Sequence, residues 1–95
     1  MPLTIVADIR ANPGHEDDFA ELLTSFVEPT RAEQGCVQYD LHRDDLDPGH
    51  FLFFEIWKTR GLLQDHIASP HIAGSAKARG RLVASAVVSE MTRIA

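Results

Sequence analysis

"CVQYDLHRDDLDPGHFLFFEIWK", residues 36–58, decides how the rest of the chain is read. Cys36 to Arg43 alternates in the manner of a half-buried strand, and the turn-rich run Asp44 to His50 ends it. Phe51 to Lys58 alternates again, so the two runs pair as a hairpin whose loop is longer than two residues.

Outward from this hairpin the punctuation is regular. Leu3 to Ala11 is short and β-branched and closes at Asn12-Pro13-Gly14, which reads as a strand entering a turn. From His15 onward, Phe19, Leu22, Leu23, Phe26 and Val27 fall on one helical face, and Glu16, Asp17 and Asp18 place negative charge in the first turn. Pro29 should break or kink this helix after Val27, and "TRAEQG" forms one further turn that stops at Gly35. Beyond the hairpin, Thr59 caps a short helix carrying Leu62, Leu63, His66 and Ile67. Ser69-Pro70 starts another, running through "HIAGSAKARG", and Ala86 to Ile94 forms a last strand. The order β-α-β-β-α-β predicts an α+β, ferredoxin-like sheet with helices on one face, as one domain over residues 1–95.

The strand Phe51 to Lys58 is bulky and apolar on both faces. Phe51, Phe53, Glu55 and Trp57 share one side, while Leu52, Phe54 and Ile56 share the other. Helices cover only one of these, so a second copy of the chain is expected on the other, giving a homodimer in which the two sheets form a barrel.

Composition narrows the function classes. The 95-residue chain has a net charge of −5, which argues against a nucleic-acid partner. The cluster Lys77, Arg79 and Arg81 reads as a solvated helix end, where cations suit the macrodipole. The longest apolar run is far short of a membrane span, and the first residues do not read as a signal peptide, so a cytoplasmic location away from membranes is expected. Cys36 is alone, which leaves no intramolecular disulfide and no thiolate metal cluster.

Glu55 lies between two large rings on a face that must be buried, so it needs a partner or a raised pKa. A structural hydrogen bond and a pocket role both satisfy that requirement, and Trp57 divides in the same way between core and pocket. His66 shares its helical face with Leu62, Leu63 and Ile67 and therefore points toward the sheet. Inward histidines are commonly hydrogen-bonded core residues, yet an imidazole titrates in the range proton transfer requires. His71 follows across the Ser69-Pro70 break, which excludes the i, i+4 pair of a helical zinc site. Glu55, His66 and His71 would supply the two-histidine, one-carboxylate face of a non-haem iron centre, although nothing in their spacing selects it. His15, His42 and His50 read as solvent-facing. No phosphate loop or nucleophile elbow is present.

"VADIRANPG", "EQGCVQYDLHRD", "FEIW" and "HIASPH" resemble, in order and spacing, the antibiotic biosynthesis monooxygenase family, with its small quinol monooxygenases, over nearly the whole chain. The resemblance implies a dimeric ferredoxin-like α+β barrel and a cofactor-independent oxygenase acting with molecular oxygen on a hydroquinone, polyketide phenol or similar small aromatic. It implies no metal, flavin or haem. Carried onto this sequence, it makes His66 the catalytic base and Trp57 and Phe53 pocket walls, with Glu55, Tyr39 and His71 as polar groups lining or supporting the site. Haem-degrading members of the superfamily use an asparagine where Ala7 stands and a histidine near Ala76, so haem does not fit. A further branch holds an isomerase of a phosphorylated sugar with a similar histidine-Ser/Thr-Pro-His pattern, whose enediolate chemistry needs the same base without oxygen. A non-catalytic ligand-binding module would keep the aromatic pocket without needing His66 to titrate.

Overall fold

The computed structural model describes residues 2–95. Its elements are β1 (Leu3–Ala11), α1 (Glu16–Ser25), α2 (Val27–Arg31), β2 (Cys36–Arg43), β3 (His50–Trp57), α3 (Arg60–Ile67), α4 (Pro70–Ala73), α5 (Ala76–Leu82) and β4 (Val83–Met91). The four strands form one sheet in the order β2-β3-β1-β4, and each neighbouring pair is antiparallel. This is the α+β, ferredoxin-like arrangement that the hairpin implied.

Alternation explains the layers. Along β3, Phe51, Phe53, Glu55 and Trp57 are buried while the residues between them are only half-buried. The buried set joins Ile5 and Ala7 of β1, Tyr39 of β2, Phe19 and Leu23 of α1, Phe26, Leu63 of α3 and Leu82 of α5 in one core. On the opposite face, Leu52, Phe54 and Ile56 pair with Asp8, Val6 and Thr4, and Val87 and Met91 of β4 are exposed. That second face is therefore apolar and lacks a helical cover.

Several boundaries differ from the sequence expectations; β3 runs one residue earlier at each end than Phe51 to Lys58, and β4 stops at Met91, short of Ile94. The first helix breaks at Phe26, one residue earlier than expected. Pro29 does not cause the break, because it sits in the first turn of α2, where no intrahelical N–H is required. The expected helix through "HIAGSAKARG" is two short helices separated at Gly74-Ser75, with the Ser75 hydroxyl bonded to the Ile72 carbonyl. The last strand begins at Val83, three residues early, because pairing with β1 extends it beyond the apolar run that suggested it. Thr59 caps α3 as expected, its hydroxyl accepting the Leu62 N–H at 3.2 Å.

Two details position the site. Gly35 has φ +89, and a side chain there would fall on Leu62, so only glycine turns the chain from α2 into β2 at this point. Immediately afterward, the register of β2 against β3 shifts between Cys36 and Gln38. Cys36 opposes Trp57, yet Tyr39 opposes Glu55. Without that extra residue Tyr39 would face outward; the bulge turns its ring into the core. His50, read as merely solvent-facing, bridges Asp44 (2.8 Å) and Asp8 (3.0 Å) and ties the hairpin loop to the sheet.

Candidate functional site

A cavity of about 240 Å³ opens between the sheet and its helices. Its floor is Ile5, Ala7 and Ile9 of β1 with Phe53 and Glu55 of β3, and His66 and Leu63 of α3 form part of its wall. Of the residues expected at a pocket, Tyr39, Phe53, Glu55 and His66 line it. Trp57 and His71 stand behind that lining. Trp57 is fully buried, so it backs the site instead of forming an exposed wall.

Glu55 and Trp57 share a face two residues apart, and the indole Nε1–H donates to Glu55 Oε1 at 3.0 Å. Burial outweighs this hydrogen bond and pushes the Glu55 pKa up to about 7. Tyr39, opposite Glu55, keeps its proton well above the ordinary phenol range because of its burial and, secondarily, the nearby Glu55 charge. Its ring packs on Phe53 at 4.8 Å and meets His66 edge-on at 5.5 Å.

His66 is 5% exposed, and its ring lies 4.6 Å from that of Trp57, tilted by 33°. Its Nδ1 is 2.7 Å from Glu33 Oε2. A carboxylate oxygen accepts, so Nδ1 carries the hydrogen and Nε2 keeps its lone pair. Nε2 has no protein partner among the described residues. Since no fully buried side-chain nitrogen or oxygen is left unpaired among them, this atom keeps some accessible surface, and His66 lines the cavity. Burial holds the imidazole below its ordinary pKa despite the opposing pull of Glu33, so the ring is a neutral acceptor at neutral pH.

Glu33 is a residue of the candidate site that sequence reasoning missed. It sits in the turn after α2, where its N–H bonds the Thr30 carbonyl at 3.0 Å and its own carbonyl accepts the Cys36 N–H at 3.2 Å. The Ser69-Pro70 break places His71 opposite, with Nε2 3.1 Å from both Glu33 Oε2 and Thr30 Oγ1. The carboxylate that meets both histidines is thus Glu33. Glu55, which the spacing allowed in that role without selecting it, is held on the sheet by Trp57. No local pattern marks Glu33, because its partners lie 33 and 38 residues away in the chain.

Arg79 also departs from expectation. It lines the cavity, with Nε donating to Ser75 Oγ at 2.8 Å and Nη2 to the Ile72 carbonyl at 3.1 Å. Both acceptors are neutral, and among the described residues it pairs with no carboxylate. Glu90, on the same lining, is occupied by Arg60 at 2.7 Å.

Residues 2–78 match the family model described as antibiotic biosynthesis monooxygenase. The chain belongs to that family. Its α+β fold is the family's fold. A Pseudomonas aeruginosa crystal structure superposes with a TM-score of 0.95 at 35% identity, covering 99% of this chain and 95% of that one. A crystal structure of an antibiotic biosynthesis monooxygenase superposes with a TM-score of 0.89 at 32% identity, covering 98% and 99%. Among curated relatives, a Mycobacterium tuberculosis protein provisionally named a monooxygenase is 36% identical over 74% of this chain and 68% of its own length. An uncharacterised Synechocystis protein is 34% identical over 74% of this chain. That match spans only 48% of the Synechocystis protein. Among the described residues of the present family member, no helix is long and apolar enough to cross a membrane.

The raised Glu55 pKa carries a stability consequence. The folded state holds this proton more tightly than the unfolded chain, so the contribution is complete below the unfolded pKa of 4.5 and is lost as pH rises through about 7. Glu55→Gln keeps an acceptor for Trp57 and cannot ionise. It should match wild type at pH 4 and be more stable at pH 8 by up to about 3 kcal/mol, the free energy that separates a carboxyl pKa of 4.5 from one of about 7. Urea unfolding of both proteins at the two pH values measures this; a difference that does not change with pH would reject it.

Proposed function

We propose that this family member is a cofactor-independent monooxygenase that oxidises a small phenol or hydroquinone in the helix-side cavity. The observation supporting this most directly is His66, held at Nδ1 by Glu33 and presenting an unpartnered Nε2 to an apolar cavity. That is the arrangement of an oriented general base. His66 takes the hydroxyl proton, and the resulting electron-rich phenolate passes an electron to dioxygen. Recombination forms a carbon–oxygen bond. The O–O bond then breaks with loss of water as the ring hydrogen leaves as a proton, so a phenol and O₂ become a quinone and water.

The remaining residues suit this sequence. Tyr39 stays protonated, and Glu55 exchanges a proton near neutrality. Phe53 and the β1 aliphatics keep the anion away from water, and Trp57 and His71 hold the histidine side of the site from behind. The cavity volume lies slightly below the ~300–1,000 Å³ typical of drug-sized ligands, which favours one- or two-ring substrates. Arg79, with neutral partners only, adds a preference for substrates bearing an acidic group. Arg79→Gln should raise KM for a carboxylated naphthol by about 10-fold while hardly changing KM for naphthol itself, since a charged hydrogen bond is worth about 1.5–3 kcal/mol. Equal effects on both compounds would remove Arg79 from recognition.

A second copy covering the sheet face of Leu52, Phe54 and Ile56 completes the proposed assembly as a homodimer; a hollow of about 410 Å³ beside Phe54, Ile56 and Met91 offers space for its side chains. An oxygen-electrode survey of hydroquinones and naphthols tests the oxygen chemistry. Substrate-dependent uptake with quinone formation supports it. Proton exchange into a keto-sugar without oxygen uptake would reassign the site to enediolate isomerisation, and tight binding with neither reaction would leave a ligand-binding module.

A further inference from the structure

We propose that Glu33, His66 and His71 form a binding site for a zinc-class divalent cation, and that a cation there switches off the base. The second half rests on His66 acting as proposed above; the first half does not. Three ligand types converge in this cluster. Glu33 comes from the turn after α2, His66 from α3 and His71 from α4, and one donor atom from each lies within 4.8 Å of the others. The two distances to Glu33 Oε2, 2.7 and 3.1 Å, are those of hydrogen bonds. Tetrahedral zinc, with bonds of about 2.0–2.1 Å, requires donor atoms about 3.3 Å apart. The two Glu33 contacts need to lengthen by only a few tenths of an ångström, while the two imidazole nitrogens, within 4.8 Å of each other, need to close toward about 3.3 Å as the cation is bound.

The donor set selects the metal class. Two imidazoles and one carboxylate suit zinc, cobalt or iron better than magnesium or calcium, which prefer oxygen. Three protein ligands leave a fourth position, and the Thr30 hydroxyl, 3.1 Å from His71 Nε2, offers a supporting oxygen. The cation also has an approach. The Glu33 and His71 side chains keep 18% and 22% exposure, against 6% for His66, so it arrives from their side and not through the substrate cavity.

The effect on His66 follows from its two nitrogens. Without a cation, Nδ1 bears the hydrogen facing Glu33 and Nε2 is the free acceptor. A cation needs the Nδ1 lone pair, so the hydrogen must move to Nε2. The ring remains neutral, but the atom facing the cavity becomes a donor and cannot accept a substrate proton. At His71 the cation takes Nε2 and the hydrogen moves to Nδ1. Glu55 and the cavity floor are unaffected, so substrate can still bind while turnover stops.

The test separates binding from catalysis. Chelator-treated protein is titrated with zinc chloride in a calorimeter, and with cobalt chloride while the visible d–d bands are recorded. The expected result is saturable one-to-one binding at micromolar metal, with the intense bands of four-coordinate cobalt. Glu33→Gln and His71→Asn should each weaken binding by about 10–100-fold. Nitrogen NMR of the wild type provides a readout without substitution: the ring signals of His66 and His71 should report tautomer exchange on adding zinc, while those of His15 and His42 stay still. Absence of one-to-one binding, undiminished binding in both variants, or zinc signals confined to the other histidines would overturn the site. Zinc binding that leaves an oxygen-consuming activity unchanged would overturn the switch. Zinc binding in a protein without oxygen chemistry would retain the site and remove the monooxygenase reading instead.

Discussion

Replacing His66 with alanine should lower oxygen turnover by about 10²–10⁴-fold, the usual worth of a general base. In the proposed reaction the imidazole is the base at the cavity surface, and its orientation is fixed from behind by Glu33 at 2.7 Å and by the Trp57 ring at 4.6 Å. Alanine also removes a buried ring, so some stability is lost, and circular dichroism with a thermal melt establishes that the folded state persists at the assay temperature. The diagnostic feature is the pH profile. Burial keeps the His66 pKa below its ordinary value, so kcat/KM should rise through a limb lying below that of a free imidazole, and the limb should vanish in the variant. A variant that turns over like wild type with an unchanged profile would transfer the base to Glu55, whose pKa of about 7 also permits the role.

Phe54→Glu should convert the expected dimer to monomer. Phe54 lies at the middle of β3 on the helix-free face, beside Val6 of β1 and Asp40 of β2 in the same row. A glutamate there would place two symmetry-related unpaired charges in the interface. An uncompensated buried charge costs about 3–5 kcal/mol, which weakens association by at least about 10²–10³-fold. In the monomer the substitution is mild, because this face is open to solvent. Light scattering across a concentration series reads the outcome directly. A wild-type protein that is monomeric at high micromolar concentration would reject the assembly, as would a variant that stays dimeric.

Much of the architecture was legible because strand and helix periodicities are local properties. Residues 36–58 showed two alternating runs around a turn, and β2 starts and ends where that reading placed it. The inward set Phe51, Phe53, Glu55 and Trp57 follows from a period of two and is buried as expected. Misplaced boundaries share one cause: propensity describes isolated segments, whereas hydrogen-bond pairing and packing set their actual ends. β4 starts at Val83 because β1 offers partners there, and Pro29 is accommodated because it falls in a first turn.

The candidate site divides along the same line. The sequence by itself determined that a carboxylate, an indole and an imidazole would face one core, since each position follows from the phase of its own element. Only the tertiary structure decided what those groups do to one another. The bulge after Cys36 brings Tyr39 to Glu55, although the parity of β2 alone would point it away. The turn closed by Gly35 carries Glu33 to His66 and His71, across 33 and 38 residues of chain, so a carboxylate with no periodic signature becomes the centre of the cluster. The α5 helix turns Arg79 into the cavity, while composition alone placed it at a solvated helix end. In each case the deciding quantity is a distance between segments far apart in sequence, set by how the helices close over the sheet, and no spacing within one segment records it.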